Sequence, residues 1–197
     1  MRVAPVPDLP HLQVACAVGT GPRDLRAEAR IPTSPGETLA RVAAFLEEAA
    51  AAHGPIAAIG VACFGPVDPD PGSPGFGRIA ATPKPGWSGT GVVGAPRGRV
   101  AVPVAFDTDV NGAALGERRW GAARGLDTFA YLTVGTGIGG GGVARGRLLH
   151  GLVHPERGHV PVPRDASRDP FPGCRPFHGD CLDGLASGTA PTWPEVP

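Results

Sequence analysis

Apolar residues along this chain fall into short runs separated by clusters of glycine and proline, and the spacing within each run predicts its structure. Residues 12–18 predict a strand, and residues 25–31 predict its antiparallel partner across a glycine turn. From 35 to 52 the apolar positions recur at helical spacing, after a Ser34-Pro35-Gly36-Glu37 stretch with the form of a capping box. Residues 56–63 are a continuous apolar run that suits a buried parallel strand. The pattern therefore predicts the order ββαβ.

The second half of the chain continues with strands and helices but carries more glycine. Residues 100–106 are the next apolar run, and residues 107–111 lead from it into a helical pattern that reaches Trp120. A strand that begins at 129 runs directly into a glycine-rich stretch. The carboxyl ends of parallel strands are where α/β proteins bind ligands, so the turn-rich segments 64–77 and 82–87 are candidate pocket rims. Ordinary surface turns explain their composition equally well.

Composition and charge narrow the class of protein. The chain has 197 residues, enough for one large domain or two small lobes, and its hydrophobic content of 42% argues against disorder. Its 18 basic and 18 acidic residues cancel, so no overall field favours nucleic acid or an anionic membrane. The sequence has no apolar stretch that would span a bilayer and no secretory signal pattern at its start. We therefore expect a cytoplasmic protein with free or metal-binding cysteines.

Two features carry candidate chemistry, each beside a structural alternative. Asp109 lies where a strand ends and a helix begins, so the helix N-terminus favours its ionised form and it can accept a proton from a substrate hydroxyl. The same position suits a helix cap. The stretch Gly135-Thr136-Gly137-Ile138-Gly139 can bring backbone N–H groups close to a phosphate. Its alternative is a twisted hairpin of a glycine-rich sheet.

A cluster of cysteines and histidines gives the more specific signal. A stretch of eight residues in a segment rich in proline and glycine contains Cys174, His178 and Cys181. His159 precedes them in the sequence. Zinc takes four nitrogen or sulfur ligands in a tetrahedron, so one compact loop can supply three ligands while the earlier histidine closes the site. Isolated surface histidines are the alternative. The spacing predicts a structural zinc site.

Six segments together resemble, in family order, the ROK family of sugar kinases, and most nearly its bacterial fructokinases. They are residues 60–68, 82–87, 106–111, 135–139, 154–159 and the Cys-x3-His-x2-Cys loop at 174–181. The resemblance implies an α/β fold of the actin-like, ribonuclease H-like type, with two lobes expected at 1–120 and 121–197 and a nucleotide cleft between them. It also implies transfer of the γ-phosphoryl group of ATP, with Mg²⁺, to the 6-hydroxyl of a hexose, preferentially fructose.

The resemblance also assigns roles to individual residues. Asp109 would be the general base, and His159 would bind zinc while also contacting the sugar. The full sets implied are Asn111, Glu156, His159 and Asp183 for the sugar, Gly135, Thr136, Gly137 and Gly139 for the nucleotide, and His159, Cys174, His178 and Cys181 for zinc. Asp183 stands where the family usually has a glutamate. The expected partners are a sugar and ATP, with a homodimer left open.

Two departures from the family pattern bear on the expected activity. The first phosphate loop of the family, with its Gly-Gly-Thr-Lys sequence, corresponds to residues 8–13, which lack those glycines and the lysine. Family members also continue beyond the helix expected near Leu182. A truncated or frameshifted copy fits both facts, so we expect either a fructokinase-like enzyme of impaired activity or a degraded, sugar-binding remnant. A transcriptional repressor of the same family is less well supported, because no helix-turn-helix precedes the domain.

Overall fold

An antiparallel hairpin, a parallel strand pair and a three-stranded antiparallel sheet form the framework of the protein, with helices packed between them. The computed structural model describes residues 13–82, 84–151, 155–175 and 178–190. Its elements are β1 (Gln13–Gly21), β2 (Asp24–Pro32), α1 (Thr38–His53), β3 (Ile59–Cys63), α2 (Gly94–Arg99), β4 (Val104–Thr108), α3 (Asp109–Trp120), β5 (Phe129–Val134), β6 (Ile138–Ala144), β7 (Arg147–Leu148), a 3-10 turn (Arg157–His159) and α4 (Leu182–Ala186). Residues 8–12, which correspond to the expected first phosphate loop, and His154 lie outside the described residues.

The first hairpin and α1 form as predicted, but the helix begins three residues later than expected. Gly36 has a φ of +94°, which a right-handed helix cannot contain, so residues 35–37 form a turn. Glu37 makes no capping hydrogen bond through its side chain. Instead the hydroxyl of Thr38 accepts a hydrogen bond from the N–H of Ser34 at 2.7 Å. The helix then buries Val42 and Leu46 against the hairpin in one hydrophobic core.

The strands β3 and β4 are parallel neighbours, in register from Ile59 opposite Val104 to Cys63 opposite Thr108. Both strands are shorter than the apolar runs that predicted them. Between them, the chain forms α2 (Gly94–Arg99), which the sequence reading missed because two of its six residues are glycine and one is proline. The carboxyl ends of the two strands meet at one edge, where α3 begins.

Most of the glycine run forms a strand, and of the predicted phosphate-loop residues 135–139 only 135–137 lie in a loop. Strand β6 pairs with β5 from Val134 opposite Ile138 to Phe129 opposite Val143, so only residues 135–137 form the turn. The reason is close packing: a Cβ on Gly141 would strike the backbone carbonyl of Val110 in α3. The hairpin alternative therefore describes how most of this run folds.

Helix α3 packs against β3 and β4 on one side and against β5 and β6 on the other. The approach to β3 also requires glycine, because a Cβ on Gly112 would lie 2.6 Å from the Cβ of Ala62. The expected lobe boundary at 120/121 falls directly after this helix and stays a prediction. Of the helices described, none has the length and apolar character needed to cross a bilayer.

Gly141→Ala tests the close approach of α3 and β6. We expect it to lower the free energy of unfolding by about 1–3 kcal/mol, because the added methyl group meets backbone atoms that cannot rotate away. Gly60→Ala in β3 is the matched control, since a Cβ there meets no atom within 4 Å. We expect that control to be neutral or slightly stabilising in urea denaturation. Equal effects of the two substitutions would contradict the packing argument.

Candidate active site

Asp109 is the first residue of α3, at the edge where β3 and β4 end. The residue that caps the helix is Thr108, whose hydroxyl accepts a hydrogen bond from the N–H of Asn111 at 3.3 Å. The interpretation of Asp109 as the cap is therefore wrong. Its Oδ1 accepts from the N–H of Val110 at 2.8 Å, which fixes the carboxylate at the amino end of the helix.

Burial shifts the proton affinity of the two carboxylates in this region. It raises the pKa of Asp109, against the opposing effects of the Val110 N–H and the Lys84 charge. Burial is also the main cause that raises the pKa of Glu156, with His159 acting in the opposite direction. A partly desolvated carboxylate with a raised pKa is a stronger proton acceptor than an ordinary aspartate, and such groups cluster in active sites. The placement and electrostatics of Asp109 thus suit a general base.

Glu156 lies next to the segment that follows β3. Its Oε1 is 3.4 Å from the position that a Cβ on Gly65 would occupy, so a side chain there would press on the carboxylate. Asp109 contributes to the raised pKa of Glu156, which places the two carboxylates in the same electrostatic environment. The structure therefore brings together two residues that the sequence assigned to chemistry and to sugar contact.

Lys84 is a functional candidate that the sequence reading did not identify. Its Nζ lies 3.4 Å from the centroid of the Phe64 ring, and burial lowers the pKa of its ammonium group. The charges of Asp109, Cys63 and Glu156 oppose that shift. Burial also raises the pKa of Cys63 to about 12, so this neighbour is a neutral thiol near pH 7. The available signal was that Lys84 is the only lysine of the chain.

Asn111 is fully buried, at 0% exposure. Its Nδ2 donates to Oδ1 of Asp107 at 2.8 Å, which ties α3 to the end of β4. The other oxygen of Asp107 lies 2.8 Å from Nε2 of His150. The sugar contact of Asn111 stays a prediction.

Asp183 is also buried, at 4% exposure, and is held in an ion pair with Arg175. Its Oδ1 accepts from the N–H of Ile138, and Arg175 donates to the carbonyl of Thr136 at 2.8 Å. These bonds hold the turn at 135–137 against the segment before α4. The carboxylate therefore braces the turn, and the sugar contact of Asp183 stays a prediction.

The same turn uses several of its polar groups internally. Gly135 donates its N–H to the carbonyl of Gly137 at 2.9 Å and accepts at its carbonyl from Gly188. Gly139 lies in β6, where a Cβ would be 2.9 Å from a methyl group of Val110. Tight packing thus accounts for Gly139. Nucleotide contacts by Gly135, Thr136, Gly137 and Gly139 stay a prediction.

The four predicted zinc ligands are only partly assembled. Nδ1 of His159 lies 3.3 Å from Sγ of Cys181, and the rings of His159 and His178 are 5.2 Å apart. Cys174 is exposed, and its Sγ lies 3.5 Å from the hydroxyl of Thr189. Within the described ranges, no three His, Cys, Asp or Glu side chains converge closely enough to hold a metal ion. The predicted tetrahedral site is not closed in this structure.

This combination of an α/β fold with carboxylates at the ends of parallel strands has counterparts among known proteins. The model of the ROK family matches residues 11–192, and the chain therefore belongs to the ROK family. It is 48% identical over 171 residues to a fructokinase from Zymomonas mobilis, covering 85% of this chain and 56% of that protein. The family predicted from the motifs is thus confirmed.

Solved structures confirm the predicted fold class. A ROK hexokinase from Thermus thermophilus superposes with a TM-score of 0.70 at 32% identity, covering 90% of this chain and 58% of that one. A ROK family glucokinase from Streptomyces griseus, solved in complex with glucose and AMPPNP, also gives 0.70, at 28% identity and with coverages of 90% and 55%. The fold is the α/β, actin-like fold of ROK sugar kinases. The chain spans little more than half the length of these relatives.

Arg175→Met tests the brace beneath the turn. We expect a loss of about 3–5 kcal/mol in the free energy of unfolding, because the substitution leaves Asp183 buried without its counter-ion. Arg99→Met is the control: Arg99 pairs with Glu47 at the surface, and we expect a cost below about 1 kcal/mol. Chemical denaturation of both variants makes the comparison. A small effect at Arg175 would show that the ion pair does not hold the turn.

Proposed function

We propose that this chain carries the sugar-side chemistry of an ATP-dependent hexose kinase of fructokinase type. The reaction transfers the γ-phosphoryl group of ATP to the 6-hydroxyl of fructose. The observation that carries the proposal is the placement of Asp109 at the amino end of α3, with a raised pKa and with Lys84 and Glu156 beside it. Identity of 48% to a fructokinase supports the choice of sugar.

Asp109 acts as the general base in this proposal. Its carboxylate takes the proton of the 6-hydroxyl while the hydroxyl oxygen forms a bond to the γ-phosphorus. The bond from that phosphorus to the oxygen bridging the β- and γ-phosphates breaks, and ADP leaves with the electron pair. Mg²⁺ entering with ATP would supply neutralisation of the phosphate charge. Desolvation of Asp109 makes it a better acceptor for that proton.

Glu156 and His159 are the proposed sugar contacts. The carboxylate of Glu156 lies over Gly65 at the same edge as Asp109, and His159 follows one turn later in the 3-10 segment. A carboxylate and an imidazole can each form hydrogen bonds with adjacent hydroxyl groups of a hexose. The glucose in the solved structure of the Streptomyces griseus relative supports a hexose as the ligand.

A sugar-binding chain without turnover is the second candidate. Two features favour it: residues 8–13 lack the glycines and lysine of the family's first phosphate loop, and the turn at 135–137 uses the N–H of Gly135 internally. Transfer depends on donors aimed at the β- and γ-phosphates, so loss of such donors slows the reaction strongly. A neutral chain acting on soluble metabolites suits the cytoplasm. A homodimer stays a prediction.

Asp109→Asn distinguishes the hexose kinase from the sugar-binding chain without turnover. We expect fructose affinity, measured by calorimetry, to stay close to that of the unmodified chain, while ADP release with fructose and Mg-ATP falls about 100-fold or more. Glu48→Gln, on the exposed face of α1, is the control and should change neither quantity. Fructose binding without ADP release by the unmodified chain would favour the second candidate. Full activity of the Asn variant would remove the assignment of Asp109 as base.

We also propose that His159, Cys174, His178 and Cys181 bind one structural zinc ion. The contact between His159 and Cys181 and the adjacent ring of His178 support this set, and Cys174 would have to turn from Thr189 towards them. No step of the proposed reaction passes through the metal. Its contribution would be folding free energy for the segment that carries α4.

Cys181→Ser tests the zinc proposal. We expect the unmodified protein to hold about one zinc per chain by elemental analysis, and the variant to lose both the metal and several degrees of melting temperature. Cys16→Ser, in the buried hairpin core, is the contrasting variant, because it should reduce stability while leaving the metal content unchanged. A folded protein that carries no zinc after growth in zinc-supplemented medium would refute the site.

A further inference from the structure

The surroundings of Lys84 indicate a specific role for its positive charge. Its ammonium group lies 3.4 Å from the centroid of Phe64, which follows Cys63 at the end of β3; Cys63 pairs with Thr108, the residue before Asp109, so Phe64 and Asp109 leave neighbouring strand ends. Every other basic residue among the 18 of this chain is an arginine. A lysine ammonium is a compact charge with three donors that can rotate.

The loop that carries Lys84 is anchored at both ends. The hydroxyl of Ser88 donates to the carbonyl of Thr82 at 3.1 Å and accepts from the N–H of Thr82 at 3.0 Å. Trp87 is buried in a hydrophobic core that also contains Ile79 and Phe106. It donates its backbone N–H to the carbonyl of Lys84 at 3.3 Å. Lys84 is therefore held at a fixed place on the pocket wall.

The ring beneath the ammonium is anchored in the same way. Phe64 meets Trp87 edge to face, with centroids 5.8 Å apart, so the indole that fixes the loop also fixes the ring. The positively charged group thus rests on a rigid aromatic face, which attracts a cation. This arrangement orients the remaining N–H donors away from the ring.

Three titratable groups face the ammonium: Asp109, Cys63 and Glu156. Cys63 is a neutral thiol near pH 7, because burial raises its pKa to about 12. Of the two carboxylates, Asp109 has the larger influence on Lys84. Burial alone would favour the neutral forms of both Lys84 and Asp109, and each charge offsets the cost of burying the other.

We propose that Lys84 is the positioning residue that keeps Asp109 ionised, and thereby available to accept the proton of the sugar hydroxyl. The role of Asp109 as a base rests on the proposed function, whereas the charge coupling between Lys84 and Asp109 does not. Lys84 acts through Asp109 and exchanges no proton with the substrate.

The single lysine makes the coupling directly measurable. Protein labelled with ¹³C-lysine gives one side-chain Cε resonance, and labelling of aspartate carboxyl carbons gives an Asp109 signal identified by its absence in Asp109→Asn. We expect Asp109→Asn to move the Lys84 titration midpoint further below that of a free lysine. In Lys84→Met the Asp109 midpoint should rise by about one pH unit or more, as for loss of a neighbouring opposite charge. Lys84→Arg, which keeps the charge, should leave it within a few tenths of the original.

Glu47→Gln is the control for both titrations, because Glu47 pairs with Arg99 on the far surface of α1. It should move neither midpoint. If Lys84→Met fails to fold, the Lys84 signal in Asp109→Asn still decides the matter. A Lys84 midpoint that equals that of free lysine, or that ignores Asp109→Asn, overturns the proposal.

ADP release measured on the same samples separates this proposal from the proposed function. Coupled midpoints without fructose-dependent ADP release support the pairing and refute the kinase activity of this chain. Uncoupled midpoints in a chain that phosphorylates fructose refute the pairing and leave the kinase assignment intact. Where activity is present, Lys84→Met should shift the acid limb of the kcat/KM profile towards neutral pH, and Lys84→Arg should restore it.

Discussion

The close approach of α3 to strands on both of its sides is the constraint on which the site depends. On one side Gly112 lies against the Cβ of Ala62 in β3, and on the other Gly141 of β6 lies against the carbonyl of Val110. At both contacts the missing side chain is what permits the approach. Because a Cβ limits one approach and a backbone carbonyl limits the other, the packing leaves little freedom to the first turn of α3. Asp109 belongs to that turn, so its carboxylate is placed by the packing of glycines.

This placement also explains why the carboxylate needs a counter-ion. A helix fixed between two sheets cannot move its first residue outwards to solvent, and burial then raises the pKa of Asp109. The N–H of Val110 offsets part of that effect, and the charge of the Lys84 ammonium offsets a smaller part. The pocket therefore combines a rigid acceptor with one cation held on an aromatic ring. Both features come from the ends of secondary-structure elements, where backbone groups are also available.

The local pattern of apolar residues was sufficient to predict most elements of the fold. The strands β1, β2, β3 and β5 and the helices α1 and α3 lie where apolar spacing predicts them, within a few residues. Helix α2 was not predictable, because its composition has the form of a turn while tertiary packing makes it a helix. The glycine run was ambiguous for a physical reason: freedom to approach a phosphate and freedom to approach a helix require the same residue. Only the three-dimensional contact between Gly141 and Val110 distinguishes the two uses.

The site was predictable where a residue's role follows from its position in an element. Asp109 and Glu156 are examples, since a strand end and a motif identified them and the structure places them together. Asn111 and Asp183 differ, because the structure shows their contacts with Asp107 and Arg175, while their assignment to the sugar stays a prediction. Lys84 could not be found from spacing at all. Its role depends on Phe64, 20 residues before it, and Asp109, 25 residues after it, which come near it only in the folded chain.

The buried pair of Arg175 and Asp183 connects the segment of the predicted zinc ligands to the candidate base. Asp183 holds the N–H of Ile138 at the start of β6, and Arg175 holds the carbonyl of Thr136 in the preceding turn. Strand β6 in turn carries Gly141, which fits against Val110, the residue after Asp109. Charges buried in pairs tolerate little displacement, because moving one leaves the other unpaired. By this route Arg175 and Asp183 are connected, through hydrogen bonds to the start of β6 and the packing of Gly141, with the first turn of α3 that carries Asp109.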